Sequence, residues 1–240
     1  MAQRPRPATR SAESPRQETR ERLIDAAGPV FAERGYRGAT MREIADRAGA
    51  NLAAAHYHFG SKQDLYREVA RAHFERLERR LAESGGAIDA KDTAKLSRPE
   101  LVALLRARIR AMIETFLDAD GVHATLMQRE LADPSELPFI VRRWIDPMRR
   151  ETEQLLHCLA PALGPGAIEF AARSVMGQVI FYFTHRPALL LMMRRRAYPA
   201  GFLDAITGHV VAFTLGGLDG IAQVSTAKPC RPQRPKGSRS

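Results

Sequence analysis

Residues 40–62, TMREIADRAGANLAAAHYHFGSK, constrain this chain more than any other stretch. Thr40 can cap a helix while Glu43 reaches back to it, Gly49 supplies a turn, and Asn51 can cap a second helix beginning at Leu52. Ser61 with Asp64 repeats the cap ahead of Leu65 and Tyr66. Two short helices around a glycine turn, with a freshly capped third, have the form of a helix-turn-helix, which places one helix in the major groove of DNA. A glycine turn alone would suit any helical bundle, so the full order of caps, turn and apolar positions carries the reading.

Charge agrees with that placement. The net charge of +10 divides into +5 over residues 1–82, zero over 83–224 and +5 over 225–240. A basic excess on the helix-turn-helix half and the tail suits a polyanion partner, although arginine-rich coding bias would also produce it. Hydrophobic residues make up 45% of the chain, enough to bury one large or two modest cores. Cys158 and Cys230 fit neither a disulfide framework nor a metal site. No apolar segment follows Met1 and no run approaches the roughly 20 residues of a membrane span, so a soluble, cytoplasmic protein is expected.

Periodicity predicts an all-α fold, with no alternating strand pattern and no Asn-Gly hairpin. Residues 1–13 read as a disordered basic arm. Ser14-Pro15-Arg16-Gln17 is a start signal for a first helix carrying Leu23, Ile24, Ala27, Val30 and Phe31. The helix-turn-helix domain spans 14–60 and a connecting helix 61–83. Ser84-Gly85-Gly86 ends that helix, and Ser97-Arg98-Pro99-Glu100 restarts helix beyond a polar linker. Residues 84–224 read as one helical effector-binding and dimerisation domain, with helices at 122–131, 137–159, 166–185 and 202–224, and 225–240 as a disordered basic tail. Kinks are expected at Pro29 and Pro147.

From Arg20-Glu21-Arg22-Leu23-Ile24-Asp25-Ala26-Ala27 through Phe31-Ala32-Glu33-Arg34-Gly35-Tyr36 to the ending Tyr57-His58-Phe59-Gly60-Ser61-Lys62, the chain resembles the TetR family of bacterial transcriptional regulators. Arg129-Glu130-Leu131-Ala132-Asp133-Pro134-Ser135 and Gly177-Gln178-Val179-Ile180-Phe181-Tyr182-Phe183 are similar to its CecR-like branch. Gly28-Pro29 departs from the family pattern, which has helix formers there. The resemblance implies an all-helical homodimer that binds double-stranded operator DNA and releases it when a small molecule enters the C-terminal domain.

On the recognition helix, Leu52, Ala53 and Ala54 occupy the first turn, where base readout would be apolar contact with thymine methyls, and Asn51, which caps it, counts with them among the expected DNA-binding residues. Arg42 matches a family position used for bases, and its guanidinium suits a bidentate guanine contact. Thr40, His56, Tyr57 and Lys62 match positions that grip phosphates, although His56 stands where the family often has tyrosine. Of Tyr57 and His58, the latter is expected to be structural, together with Phe59.

The second half holds no nucleophile motif and no metal helix, so no catalytic residue, metal or cofactor is expected. Phe116, Met127, Trp144, Met148 and Tyr182, with Gln178 and Glu130 as polar anchors, are the expected effector residues, though such a set equally suits a core. Residues 167–183 and 202–218 match the family's dimer surface. The reading is a TetR-type repressor of a palindromic operator, released by an apolar or amphipathic effector. The alternatives are a constitutive dimeric DNA-binding protein without effector, and an enzyme.

Overall fold

The computed structural model describes residues 15–117 and 122–226, and the fold is 81% helical, as periodicity predicts. The N-terminal arm, the Ser14 cap and the tail beyond residue 226, with Cys230, lie outside the described residues. In order, the helices are α1 (Pro15–Gly38), α2 (Met41–Arg47), α3 (Leu52–Phe59), α4 (Lys62–Glu83), α5 (Ala90–Thr93), α6 (Arg98–Phe116), α7 (Val122–Ala132), α8 (Leu137–Ile140), α9 (Asp146–Leu159), α10 (Pro165–Thr184), α11 (Arg186–Met192) and α12 (Phe202–Thr226). Val141–Ile145 forms a π turn between α8 and α9.

Two compact units result: Met1–Arg80 with Glu114–Asp146, and Leu81–Ile113 with Pro147–Ser240. A connecting helix is expected over 61–83; α4 runs Lys62–Glu83, and the division between units falls inside it. The membership of residues 114–117 and 122–146 in the N-terminal unit was not legible in sequence, because it rests on contacts between distant positions.

In the first unit, Leu23, Ala27, Val30 and Phe31 of α1 are fully buried, along the helical stripe that their spacing predicts. The expected kink at Pro29 is corrected. Helical dihedrals continue through Pro29, and α1 breaks instead at Gly35, with φ 71° and ψ 169°. Proline's own φ suits a helix, whereas Gly35 adopts a left-handed φ that other residues avoid. Gly28 allows a close approach, since a Cβ there would lie 3.2 Å from Val122 Cγ1 of α7. Phe31 and Tyr66 meet edge to face at 4.8 Å, and Phe74 stacks on Trp144 at 4.9 Å.

The kink expected at Pro147 is also relocated, to the π turn just before it. Pro147 cannot donate to the carbonyl of Arg143, and a wider turn absorbs that missing bond upstream of the ring.

The second unit is organised around Arg108, whose side chain is 1% exposed. Its guanidinium donates to Thr152 Oγ1 (3.1 Å), the Met148 carbonyl (2.9 Å), Glu151 Oε2 (2.9 Å) and the Gly86 carbonyl (3.4 Å). A buried cation is tolerable only when its donors are met in this way. Helices α10 and α12 pack together in this unit, burying Val175, Val179, Val210 and Val211. The sequence expectation of no span-length apolar run is corrected by α12. Phe202–Val224 is long and apolar enough to cross a membrane by length and composition, with Asp204 and Asp219 as its charged residues.

Candidate nucleic-acid interface

The caps read from sequence are present. Thr40 Oγ1 accepts from the Glu43 amide at 3.1 Å and Asn51 Oδ1 from the Ala54 amide at 2.7 Å, each meeting a donor that a helix start leaves orphaned. Between them Gly49, at φ 62°, makes the turn with a backbone that a side chain would strain. Ser61 Oγ accepts from the Asp64 amide at 3.1 Å and starts α4.

Helix α3 turns Ala55 and Phe59 inward and leaves Ala53, His56 and Tyr57 exposed. Leu52, Ala54 and His58 are half-buried. Tyr57 is 67% exposed, with the Arg16 guanidinium 4.9 Å from its ring centre, so α1 places a cation beside the outward face of α3. No acidic residue lies in the first turn of α3. Arg42 is exposed and forms no ion pair among the described residues, whereas its neighbours are engaged: Arg34 with Glu43 (3.4 Å) and Arg47 with Glu33 (3.2 Å).

Two expected phosphate contacts have structural duties. Lys62 Nζ donates to the carbonyls of Ala39 (3.0 Å) and Arg37 (3.4 Å) and stands 4.7 Å from the centre of the Tyr36 ring. It thereby ties the end of α1 to the start of α4. His56 Nδ1 lies 3.0 Å from the Gly60 carbonyl, and a carbonyl only accepts, so this nitrogen carries the hydrogen. The exposed Nε2 can then donate to a phosphate only when the ring is an imidazolium.

Of the expected effector residues, Phe116, Met127, Glu130 and Trp144 belong to the first unit, and Met148, Gln178 and Tyr182 to the second. Trp144 is 4% exposed and packed on Phe74, and Glu130 is buried under three residues that donate to it. Gln178 donates to the Ser174 carbonyl of its own helix at 3.3 Å. A cleft of about 710 Å³ opens elsewhere in the first unit, between α1, α4 and α7, lined by Ile24, Gly28, Pro29, Val69, His73 and Thr125 among others. Burial, then the charge of Arg76, pushes His73 down to about 4, so it is neutral there at ordinary pH.

Sequence reasoning assigned no role to Tyr66, Arg67, Arg129 and Glu136. Tyr66 donates to Glu130 at 2.7 Å, Arg67 to Glu136 at 2.7 Å, and Arg129 to the carbonyls of Ala32 (2.6 Å) and Glu33 (2.7 Å). The run Arg129–Ser135 was visible as a motif, but nothing in its spacing names partners about a hundred residues away.

Residues 23–69 match the family described as bacterial regulatory proteins, tetR family, and residues 101–218 match the C-terminal domain of the HTH-type transcriptional dual regulator CecR. The chain is 38% identical over 104 residues to the HTH-type transcriptional activator FasR of Mycolicibacterium smegmatis, a match covering 43% of this chain and 41% of FasR. It is 34% identical over 67 residues to the HTH-type transcriptional repressor AcnR of Corynebacterium efficiens, covering 28% of this chain and 36% of AcnR. The chain thus spans about two fifths or less of the length of these curated relatives. The structure of the fatty acid degradation regulator FadR from Bacillus halodurans has the same fold, with a TM-score of 0.61 at 20% identity over 87% of this chain and 98% of that one. FasR and AcnR are named as regulators of transcription and the fold neighbour as a regulator of fatty acid degradation, and none of them is named as an enzyme. A capped helix-turn-helix, an all-helical fold and two family matches that together span most of the chain lead to one assignment: the chain belongs to the TetR family of transcriptional regulators.

Proposed function

We propose that this protein binds a palindromic operator as a homodimer, represses transcription there, and is released by a small apolar or amphipathic effector. The observation that carries the DNA reading is α3 itself. It is a short helix capped by Asn51, free of acidic residues in its first turn, with Ala53, His56 and Tyr57 facing outward and, on the helix before it, Arg42, which forms no ion pair among the described residues. Asn51, Leu52, Ala53 and Ala54 present the first turn to base edges, Arg42 takes a guanine, and Thr40, His56 and Tyr57 hold phosphates.

The homodimer reading is supported by the outer surface of α10 and α12, where Phe170, Phe181 and Phe213 are exposed. A Cβ added at Gly177, Gly216 or Gly217 would meet nothing within 4 Å, so a second backbone has room to approach. The effector reading is supported by the cleft between α1, α4 and α7, whose volume is that of a small-molecule site. The residues expected to meet the effector, Phe116, Met127, Glu130, Trp144, Met148, Gln178 and Tyr182, do not line this cleft.

The test is enrichment of a randomised duplex library by the full-length protein, followed by titration of the enriched duplex against salt. Two half-sites one helical turn apart, and affinity falling with a log-log slope of about −0.9 per neutralised phosphate, are expected. Failure to enrich any sequence would overturn the reading. Transcription from a promoter carrying the enriched site fixes the sign, with a fall on adding protein expected.

A further inference from the structure

Arg129 and Glu130 are consecutive residues on α7, yet each grips a different helix of the DNA-reading head. Arg129 donates from Nε to the Ala32 carbonyl (2.6 Å) and from Nη2 to the Glu33 carbonyl (2.7 Å), in the last turn of α1 before the break at Gly35. Carbonyls at a helix end need outside donors, and a guanidinium fork supplies two at once. Glu33 in turn holds Arg47 of α2 at 3.2 Å, and Arg37 beyond the break pairs with Asp133 at 3.3 Å.

Glu130 points the other way. Its buried carboxylate accepts from Tyr66 of α4 (2.7 Å), from the amides of Ser135 (3.2 Å) and Glu136 (3.0 Å), and from the Ser135 hydroxyl. Glu136 then holds Arg67 of α4 at 2.7 Å and accepts from Gln63 in its first turn. The start of α4 follows α3 directly, so the loop after α7 is fastened one to two turns from the end of the recognition helix.

We propose that Arg129 and Glu130 are positioning residues for DNA reading: a two-pronged clamp by which α7 fixes the end of α1 and the start of α4, and so the presentation of α2 and α3 between them. This rests on the DNA-binding reading given above. Thr125, one helical turn before Arg129, lines the cleft between α1, α4 and α7, so anything that shifts α7 from that cleft pulls on both prongs. Charge-assisted, geometrically forked bonds hold one arrangement rather than a continuum, which suits a part that must set a fixed spacing.

The experiment compares wild type with Arg129→Met, Arg129→Lys and Glu130→Gln in the full chain, at a temperature where each is folded by circular dichroism. Arg129 is solvent-exposed, so its variants are expected to fold even if Glu130→Gln does not. Binding is measured to the duplex enriched by wild type and to a random duplex at the same salt, with amide hydrogen exchange recorded across residues 39–66. Arg129→Met should lose at least tenfold on the enriched duplex and under twofold on the random one, with exchange over α2 and α3 at least fivefold faster and that of α12 unchanged. Arg129→Lys should recover part of both losses, since one ammonium can serve the two carbonyls without the planar fork. Equal losses on both duplexes, or unchanged exchange over α2 and α3 in Arg129→Met, would overturn the clamp. If wild type enriches no duplex, the DNA reading fails by itself, and the exchange rates still decide whether α7 fixes these helices.

Discussion

Tyr66 of α4 donates its phenolic hydrogen to Glu130 of α7 across 2.7 Å, and both side chains are buried. Burial first, then the hydrogen bond to Glu130, pushes the Tyr66 hydroxyl well above its usual 10.0, so it remains a donor at any pH the protein meets. Tyr66→Phe keeps the edge-to-face contact with Phe31 but takes one donor from a buried carboxylate. A hydrogen bond to a charged group contributes about 1.5–3 kcal/mol, and a loss of that size in urea unfolding is expected. A loss below about 0.5 kcal/mol would mean that water replaces the phenol.

His73 makes stability depend on acid. Burial, then Arg76, lowers it from 6.5 to about 4 in the fold, so as pH falls below 6.5 the unfolded chain takes up a proton that the folded chain resists. This contribution is therefore full above 6.5 and is lost toward pH 4, amounting to about 3 kcal/mol at 1.36 kcal/mol per unit. His73→Gln should flatten the stability curve between pH 6.5 and 4. An unchanged acid slope would show that His73 reaches solvent.

Arg42 and Lys62 should separate cleanly. Arg42→Ala should weaken the enriched duplex by about 1–3 kcal/mol and relax preference at one base of each half-site, with the melting temperature unchanged. Lys62→Ala removes the donor to the carbonyls of Arg37 and Ala39, so its main effect should be a lower melting temperature. Equal weakening on all duplexes by both variants, with no thermal change, would return Lys62 to a pure phosphate role.

Gly86→Ala should damage the second unit. The added Cβ would lie 2.8 Å from the Arg108 backbone nitrogen and 2.9 Å from its Cα, and neither can move without disturbing the buried guanidinium. Overpacking of this kind costs about 1–3 kcal/mol or more. Thermal melts should show the loss, whereas Gly216→Ala, with nothing within 4 Å, should be near neutral.

Phe213 is 61% exposed on α12, so Phe213→Arg should leave the folded chain intact while putting a charge on the proposed dimer surface. Sedimentation should then report a monomer, and affinity for the two-half-site duplex should fall by more than tenfold. A dimer of unchanged stability would place the interface elsewhere.

The helix-turn-helix was legible in sequence because each of its instructions is local. Thr40, Gly49, Asn51 and Ser61 act on backbone groups within a few residues, and the inward stripe of α1 repeats at the helical period. The two proline kinks were misplaced for a related reason. A proline reports only the bond it removes, whereas the chain bends where another partner or a glycine makes bending easy, at Gly35 beneath Arg129 and at the π turn before Pro147. Tertiary structure alone decided that Lys62 serves the carbonyls of Arg37 and Ala39, that Trp144 stacks on Phe74, and that residues 114–117 and 122–146 join the N-terminal unit. Those outcomes depend on side chains meeting across tens of residues of sequence. No period or spacing encodes such a meeting, because it becomes defined only when the helices have packed.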